Sequence, residues 1–211
     1  MFISQIRKLA VCGLTGLAMT AGGLATVYAA GPADQMVRVR GAVTSLAGDQ
    51  LQVMSREGKN VTITLKEGWR ASAVQKASIS DIKQGDFVGI ASLPKSDGGD
   101  GALEVLIFPP ALKGTGEGSY GWDLKPNSTM TNATVGDAVK SVDGSVVTVN
   151  YHGKDKKISI PKGTPVVTLA PATVDDVKPG AAVFIPAEKG IDGMLSTAQL
   201  IVGKNGVVPP M

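Results

Sequence analysis

An internal repeat limits the folds open to this chain more than any other feature of its sequence. Asp81–Gly85 (DIKQG) returns 95 positions later as Asp176–Gly180 (DVKPG). Other matches at this offset are Gly58 with Gly153, Ile63 with Ile158, Val88 with Val183 and Asp97-Gly98 with Asp192-Gly193. Because glycines and apolar positions are both kept at one spacing, the repeat indicates two copies of one small domain.

Near the start of the repeat, the offset rises to 96. At this offset Val43 matches Val139. The change requires the loss of one residue in a turn between Val53 and Gly58. Loops tolerate changes of length better than the strands that they connect, so this difference is typical of a duplicated fold.

Each copy has the alternation of apolar and polar residues that is typical of half-buried β-strands. In the first copy, we expect strands near residues 37–43, 51–53, 61–65, 87–91 and 103–108. Ser80-Asp81 before Ile82, followed by Gly85, favours a capped helical turn between the third and fourth strands. This order is that of the OB-fold. We therefore predict an all-β protein of two tandem OB-like five-stranded small β-barrels, each with a short helical turn.

The first residues have the layout of a secretory signal peptide. Arg7 and Lys8 are positive, residues 9–26 are uncharged, and Val27-Tyr28-Ala29 suits a cleavage site. A retained single-pass anchor is the alternative, although four glycines weaken it as a spanning helix. We expect a periplasmic or secreted protein with no transmembrane segment after cleavage. The expected segments are a signal peptide at 1–29, a first OB-like barrel at 36–109, a Gly/Pro-rich linker with Trp122 at 110–131, a second OB-like barrel at 132–203 and a flexible tail at 204–211.

Composition argues against several classes of function. Cys12 is the single cysteine, so the mature chain has no thiol for disulfide, nucleophile or metal chemistry. The formal charge of +3 includes Arg7 and Lys8, and it falls to about +1 on cleavage. Basic runs do not exceed Lys156-Lys157, and aromatic residues make up 4% of the chain. We therefore expect no nucleic acid as a partner.

These motifs together resemble a family of bacterial exported proteins with tandem OB-like small β-barrels, which is catalogued as a domain of unknown function. The residues that carry the resemblance are the leader, Gly41-x-Val43-x-x-Leu46-x-Gly48, Asp81-Ile-Lys-x-Gly-Asp-x-Val88, and the linker from Trp122 to Asn132. The resemblance covers nearly the whole mature chain and implies the two-barrel fold. Some members carry a label that links them to metal transport. The second copy departs from the pattern at Ala181, where the first has Asp86.

Residues with catalytic or ligating chemistry are few, and each has a structural interpretation. Asp81 and Asp176 are ligands or helix caps. Residues 97–101 form a calcium loop or a flexible hairpin. His152, the single histidine, is a base or an exposed turn residue. Because no nucleophile–base pair is visible, we predict no enzymatic activity, no catalytic residue, no cofactor and no metal.

A copper(I) site remains an alternative, because thioethers suit this ion. Its candidate residues are scattered along the chain: Met54, Trp69, Trp122, Met130, Met194 and His152. An assembly of these side chains in the folded protein would indicate a periplasmic accessory metal-binding carrier linked to metal transport.

The linker is too apolar for a simple solvated spacer. Its apolar residues are Tyr120, Trp122, Leu124 and Met130. They either pack between the barrels or form a partner-binding surface, since Trp and Tyr are favoured anchors. We predict an exported, soluble, non-enzymatic binding or adaptor protein of the bacterial cell envelope. Its partner would be an unknown envelope protein or a small ligand.

Overall fold

A computed structural model describes residues 35–141 and 144–210, so the expected signal peptide lies outside the described residues. The strands in this part of the chain are β1 (Gln35–Ala47), β2 (Gln50–Ser55), β3 (Asn60–Lys76), β4 (Phe87–Pro94), β5 (Asp100–Ile107), β6 (Gly118–Gly121), β7 (Thr129–Ser141), β8 (Gly144–Tyr151), β9 (Lys154–Pro161), β10 (Val166–Pro171), β11 (Ala182–Lys189) and β12 (Leu195–Gly203). Short 3₁₀ turns span Ile79–Asp81, Pro110–Leu112 and Val174–Asp176. The protein is all-β, as the alternation predicts. Within the described ranges, no helix has the length and hydropathy to cross a membrane.

Five strands close into a barrel, which we call the first barrel. β1 pairs antiparallel with β2 and β11, and β2 pairs antiparallel with β3. β12 closes the circuit, because it pairs antiparallel with β11 and parallel with β3. The interior is filled by side chains that are fully buried or nearly so, among them Leu51, Val53, Ile63, Ile185 and Leu200.

The other strands follow a second circuit of pairings, which we call the second ring. β7 pairs antiparallel with β8 and β4, β8 with β9, and β4 with β5. A short parallel contact between β5 and β9 completes the circuit, with Asp100 opposite Ile158 and Gly101 opposite Ser159. Its core includes Val88, Ile90 and Val149.

Each circuit takes strands from both halves of the chain. The first barrel combines β1, β2 and β3 with β11 and β12, whereas the second ring combines β7, β8 and β9 with β4 and β5. This differs from the expected pair of barrels, each closed within 36–109 or 132–203. The described residues belong to one compact unit.

The length of β3 allows the chain to pass from one circuit to the other. Sequence alternation predicts a strand only at 61–65, but β3 continues to Lys76. Its first part pairs with β2, and residues 72–76 pair antiparallel with β10. β10 in turn pairs parallel with β5 of the second ring. The strand therefore carries the chain out of the first barrel, and β4 begins beside β7.

Two backbone hydrogen bonds fix the register of the first strand in each circuit. In the first barrel, the N–H of Gly180 donates to the carbonyl oxygen of Val43 over 2.8 Å. In the second ring, the N–H of Gly85 donates to the carbonyl oxygen of Val135 over 2.8 Å. Val43 thus corresponds to Val135, and the sequence match of Val43 with Val139 is wrong. The extra residues of the second copy lie in the hairpin between β7 and β8. Matching the two copies there by residue type therefore gives the wrong alignment.

The two 3₁₀ turns before β4 and β11 are capped in the same way. The N–H of Ser78 donates to Asp81 Oδ2 over 2.7 Å, and the N–H of Thr173 donates to Asp176 Oδ2 over 2.8 Å. Each turn has a capping box, which supports the cap interpretation of Asp81 and Asp176.

The end of the described chain packs on the first barrel. Asn205 and Gly206 have φ values of 52° and 76°, and the N–H of Val207 donates to the carbonyl oxygen of Lys204 over 2.9 Å. This turn returns the chain to the barrel surface, where Pro209 is buried. In the segment that we expected to be a flexible tail, Val207 and Pro209 contact the barrel, whereas Asn205, Gly206 and Val208 are exposed.

Candidate ligand site at the junction of the two circuits

The linker at 110–131 contributes a strand to the sheet. β6 pairs antiparallel with the start of β7, so that Tyr120 lies opposite Met130. Ser128 closes the connection, because its hydroxyl donates to the carbonyl oxygens of Trp122 and Lys125 over 3.0 and 2.7 Å. This hairpin-like course places the linker side chains over the outer face of both circuits.

Trp122 packs where the first barrel meets the second ring. We call this region the junction cluster; its buried residues are Val74, Leu106, Val167 and Phe184, with Phe108, Trp122, Leu169, Ile201 and Val207 packed against them. The centroid of the Trp122 ring lies 6.3 Å from that of Phe184 and 6.2 Å from that of Tyr120. The guanidinium carbon of Arg38 lies 3.9 Å from the ring centroid, within the range of a cation–π contact.

A small cleft of about 80 Å³ lies beneath the linker. It is lined by Gly89, Glu104, Leu106, Phe108, Tyr120, Trp122, Met130, Asn132 and Pro210. The floor comes from the outer face of β4 and β5, and the cover comes from the linker and the end of the chain. We call this space the junction cleft. Its walls are mostly apolar, with polar atoms at only a few points, which is the usual lining of small-molecule sites, but its volume is below their usual range of roughly 300–1,000 Å³.

Two buried polar atoms on residues that line this cleft have no hydrogen-bond partner. They are Oε1 of Glu104 and Nε1 of Trp122. The side chain of Glu104 is only 4% exposed. A buried polar group without a partner costs about 1–3 kcal/mol, and native proteins satisfy nearly all such groups. The two atoms therefore mark the place where a hydrogen-bonding guest would compensate the cost.

Burial raises the pKa of Glu104 to about 8, and the charges of Arg40 and Arg56 act in the opposite direction. At neutral pH the carboxyl is mostly protonated, since the neutral form is favoured in an apolar site. A protonated carboxyl can donate one hydrogen bond and accept others. Glu104 thus presents a neutral donor–acceptor group to the cleft.

The charged residues beside the cleft are paired with each other. Arg40 Nη2 donates to Asp123 Oδ1 over 2.7 Å, and Arg38 lies 3.8 Å from the same oxygen. Burial disfavours the ionised form of Asp123, but the hydrogen bond and the two positive charges outweigh it, so the pKa of Asp123 lies below its ordinary value. The arginines are therefore partly neutralised before any guest arrives.

Gly89 provides the space of the cleft. It lies opposite Asn132 in the second ring, at the position where the first barrel has Phe184 opposite Arg40. A Cβ atom at Gly89 would lie 2.8 Å from Oδ1 of Asn132 and 3.2 Å from Cε2 of Phe108. A larger residue would fill the cleft in the same way that Phe184 fills the corresponding part of the first barrel.

The structure brings together three of the four linker residues that the sequence singled out. Tyr120, Trp122 and Met130 line the junction cleft, whereas Leu124 is half-buried beyond it. Burial raises the pKa of Tyr120, whose hydroxyl accepts a hydrogen bond from Asn132 Nδ2 over 3.1 Å. The sequence motifs do not single out Glu104. The feature that could have found it is the position of this acidic residue inside the apolar run from Ala102 to Phe108.

The residues of the copper alternative do not assemble around the cleft. Met130 and Trp122 line it, but Met54 lies on β2, and Met194 lies in the turn before β12. His152 is an exposed turn residue with a φ of 47°. In the part of the chain that the structure describes, no three His, Cys, Asp or Glu side chains form a group suited to a metal ion.

The first carboxylate of the proposed calcium loop pairs with a lysine that precedes the loop. Asp97 Oδ2 lies 3.2 Å from Nζ of Lys95, and this side-chain contact is the main reason that the pKa of Asp97 is lowered. Gly98 and Gly99 both have positive φ, as a tight hairpin requires. These contacts support the hairpin interpretation.

A second polar group of residues lies at one end of the second ring. Nζ of Lys156 lies 2.6 Å from Oδ2 of Asp100, and it donates to the hydroxyls of Ser119, Thr129 and Thr131 over 3.2–3.4 Å. We call this group the lysine network. Its polar atoms satisfy each other, in contrast to those of Glu104 and Trp122, so it does not indicate a ligand.

Comparisons with family models, with curated proteins and with solved structures found no match to the chain.

Proposed function

We propose that the protein is an exported, non-enzymatic binding protein of the bacterial cell envelope that holds a small ligand in the junction cleft. The observation that carries the proposal is the pair of unpartnered polar atoms, Glu104 Oε1 and Trp122 Nε1, on residues lining one cleft. A ligand that pairs with both would offset their desolvation cost. The proposed export rests on the leader-like residues at 1–29.

We also propose that the protein consists of two OB-like barrels that arose by duplication and exchanged their last two strands. The order of pairing in the first barrel supports this, because its five strands follow the OB sequence with one parallel contact. The equal hydrogen bonds at Gly85 and Gly180 support the duplication. Exchange would place the junction cleft between barrels, which is a frequent position for ligand sites.

The alternative is a periplasmic accessory metal-binding carrier. Met130 and Trp122 on one cleft favour it, since thioether sulfur suits copper(I). Elemental analysis of the purified protein after exposure to copper, zinc or calcium separates the two functions. A stoichiometric metal that is lost in Met130→Leu would favour the carrier.

The binding function is tested by identifying what the protein carries from the envelope. The full chain is expressed with its leader, purified without denaturant and then unfolded, and the released small molecules are measured by mass spectrometry. Trp122→Phe keeps an aromatic ring but removes the N–H, and Glu104→Leu removes the carboxyl. We expect a compound that is enriched with the wild type and depleted in both variants. Equal extracts from all three proteins would refute the proposal.

A further inference from the structure

The junction cleft also restricts the chemistry of its guest, and this inference rests on the binding function proposed above. We infer that the guest is a small uncharged molecule whose end group is a primary amide or a hydroxyl. That group would accept a hydrogen bond from Trp122 Nε1 and pair with Oε1 of Glu104.

The requirement for both a donor and an acceptor follows from the two unpartnered atoms. The indole N–H of Trp122 can only donate, so the guest must present an acceptor. In a protonated Glu104, Oε1 either carries the proton and donates a hydrogen bond, or it accepts a hydrogen bond. A primary amide or a hydroxyl can answer either arrangement, because each has a donor and an acceptor. A purely apolar guest would leave both atoms unsatisfied.

Charge argues against an ionic guest. Among the residues that the structure describes, the basic groups that face this region are Arg38 and Arg40 on β1 and Arg56 in the turn after β2, and the acidic group beside them is Asp123 in the linker. A cation would meet the three arginines, while Asp123 already pairs with two of them. A carboxylate would lose its hydration among Leu106, Phe108 and Met130, which is costly in an apolar site.

Size limits the part of the guest that enters. An apolar cavity of about 150 Å³ accommodates benzene, so a cleft of about 80 Å³ has room for roughly three or four heavy atoms. Tyr120 is 40% exposed at the rim. The guest is therefore a short molecule or the polar end of a longer one.

The test uses the full mature chain with Trp69→Phe, which leaves Trp122 as the single tryptophan. Four probes of equal length are titrated at about pH 6, where Glu104 is protonated: propanamide, 1-propanol, propionate and propylammonium. The readouts are the NMR signal of the Trp122 indole N–H and the methyl signal of Met130. We expect saturable shifts with propanamide and 1-propanol, and binding at least about tenfold weaker for the two ions.

Two variants separate the contributions of the carboxyl group. Glu104→Gln keeps a neutral donor and acceptor and should keep propanamide binding, whereas Glu104→Leu should weaken it by about tenfold or more. Tighter binding of propionate or propylammonium at Trp122 would overturn the ligand class but leave the cleft as a binding site. If no probe moves either signal in a folded protein, water alone satisfies the two atoms, and both this inference and the proposed function fail.

Discussion

Corresponding ends of the first barrel and the second ring have opposite chemistry. In the first barrel, Val37 lies opposite Ala187, and in the second ring the same place holds Thr129 opposite Ser92. Two further positions differ in the same way. Val61 in the first barrel is replaced by Lys156 in the second ring, and Leu195 in the first barrel is replaced by Asp100 in the second ring. One end is thus closed by apolar packing and the other by the lysine network.

This difference explains why the strands are exchanged. In the second ring, the polar residues of β4 and β5 face the polar residues of β7 and β9. In the first barrel, Ala187 and Leu195 are apolar like the valines of β1 and β3 at the same end. If the first half of the chain closed on itself, Asp100 would take the place of Leu195, beside an apolar wall. A buried charge without its partner costs several kcal/mol. We infer that the lysine network selects the exchanged arrangement over self-closure.

The strongest test separates the two halves. Residues 36–109 alone would have to close with Asp100 facing Val61 rather than Lys156, and we expect no cooperative melt from this fragment. Residues 132–203 alone should fail in the same way. Mixing the two at equal concentration should restore β-type circular dichroism and a single melting transition. A monomeric fragment that melts cooperatively on its own would show that each half closes by itself.

The next test breaks the lysine network within the intact chain. Lys156→Met leaves the partly buried Asp100 without its charge partner and should lower the free energy of unfolding by about 1–3 kcal/mol, measured by urea denaturation. Lys157→Met, at the exposed neighbouring position, is the matched control and should change little.

A double variant sharpens the same comparison. Lys156→Val with Asp100→Leu gives the second ring the residues of the first barrel, and apolar replacements of ion pairs that are shielded from water are often neutral or stabilising. We expect most of the lost stability to return. If the double variant is no more stable than Lys156→Met, the ion pair does not account for the loss.

The class of fold was predictable from the sequence, because alternation and turn glycines act locally. The strands near 37–43, 51–53 and 87–91 lie inside β1, β2 and β4, and the strand near 103–108 runs one residue past the end of β5 at Ile107. The partners of these strands were not predictable. A repeat presents two equivalent surfaces, so that β4 can pair with β1 or with β7 on pattern alone. We infer that the choice depends on single polar residues such as Asp100.

The candidate site was predictable in part for a related reason. Trp122 and Tyr120 are conspicuous in a glycine-rich linker, and they line the cleft. Glu104 is conspicuous only once β5 is known to be covered on its outer face, since an acidic residue on an exposed strand face is ordinary. The cleft itself depends on Gly89, where the corresponding residue of the first barrel is Phe184.

Removing the Trp122 side chain tests how much it contributes to the packing between the outer faces of the two circuits. Trp122→Ala takes away the contact with Phe184 and Arg38, and it should lower stability by about 3 kcal/mol, as large-to-small changes in packed sites do. Trp122→Phe keeps much of the packing and should cost about 1 kcal/mol. An unchanged melting temperature for the alanine variant would mean that Trp122 does not hold the junction.

Glu104 lies in the second ring, and its titration should make the stability of the protein depend on pH. Because its pKa rises from 4.5 when unfolded to about 8 when folded, the folded state binds the extra proton between these values. Stability should therefore fall as pH rises from about 4.5 to 8 and level off above that range, by a few kcal/mol in all. Glu104→Gln should remove most of this slope in urea titrations across the range. Parallel pH profiles for the two proteins would contradict the burial of an ionisable group here.

The smallest effect is expected at the two turn glycines, where the circuits are alike. Gly85 and Gly180 have φ values of 87° and 86°, and open space surrounds the position of a Cβ atom at each. Alanine at either position therefore meets backbone strain but no clash, and it should cost about 1 kcal/mol. Gly121→Ala, where φ is not positive, is the control and should cost less. Exchanged strands tie the circuits into one cooperative unit, so each variant should shift a single transition by the same amount in calorimetry. If Gly85→Ala and Gly180→Ala instead split the melt into two transitions, with a different one moved in each, the circuits unfold independently and the exchange does not couple them.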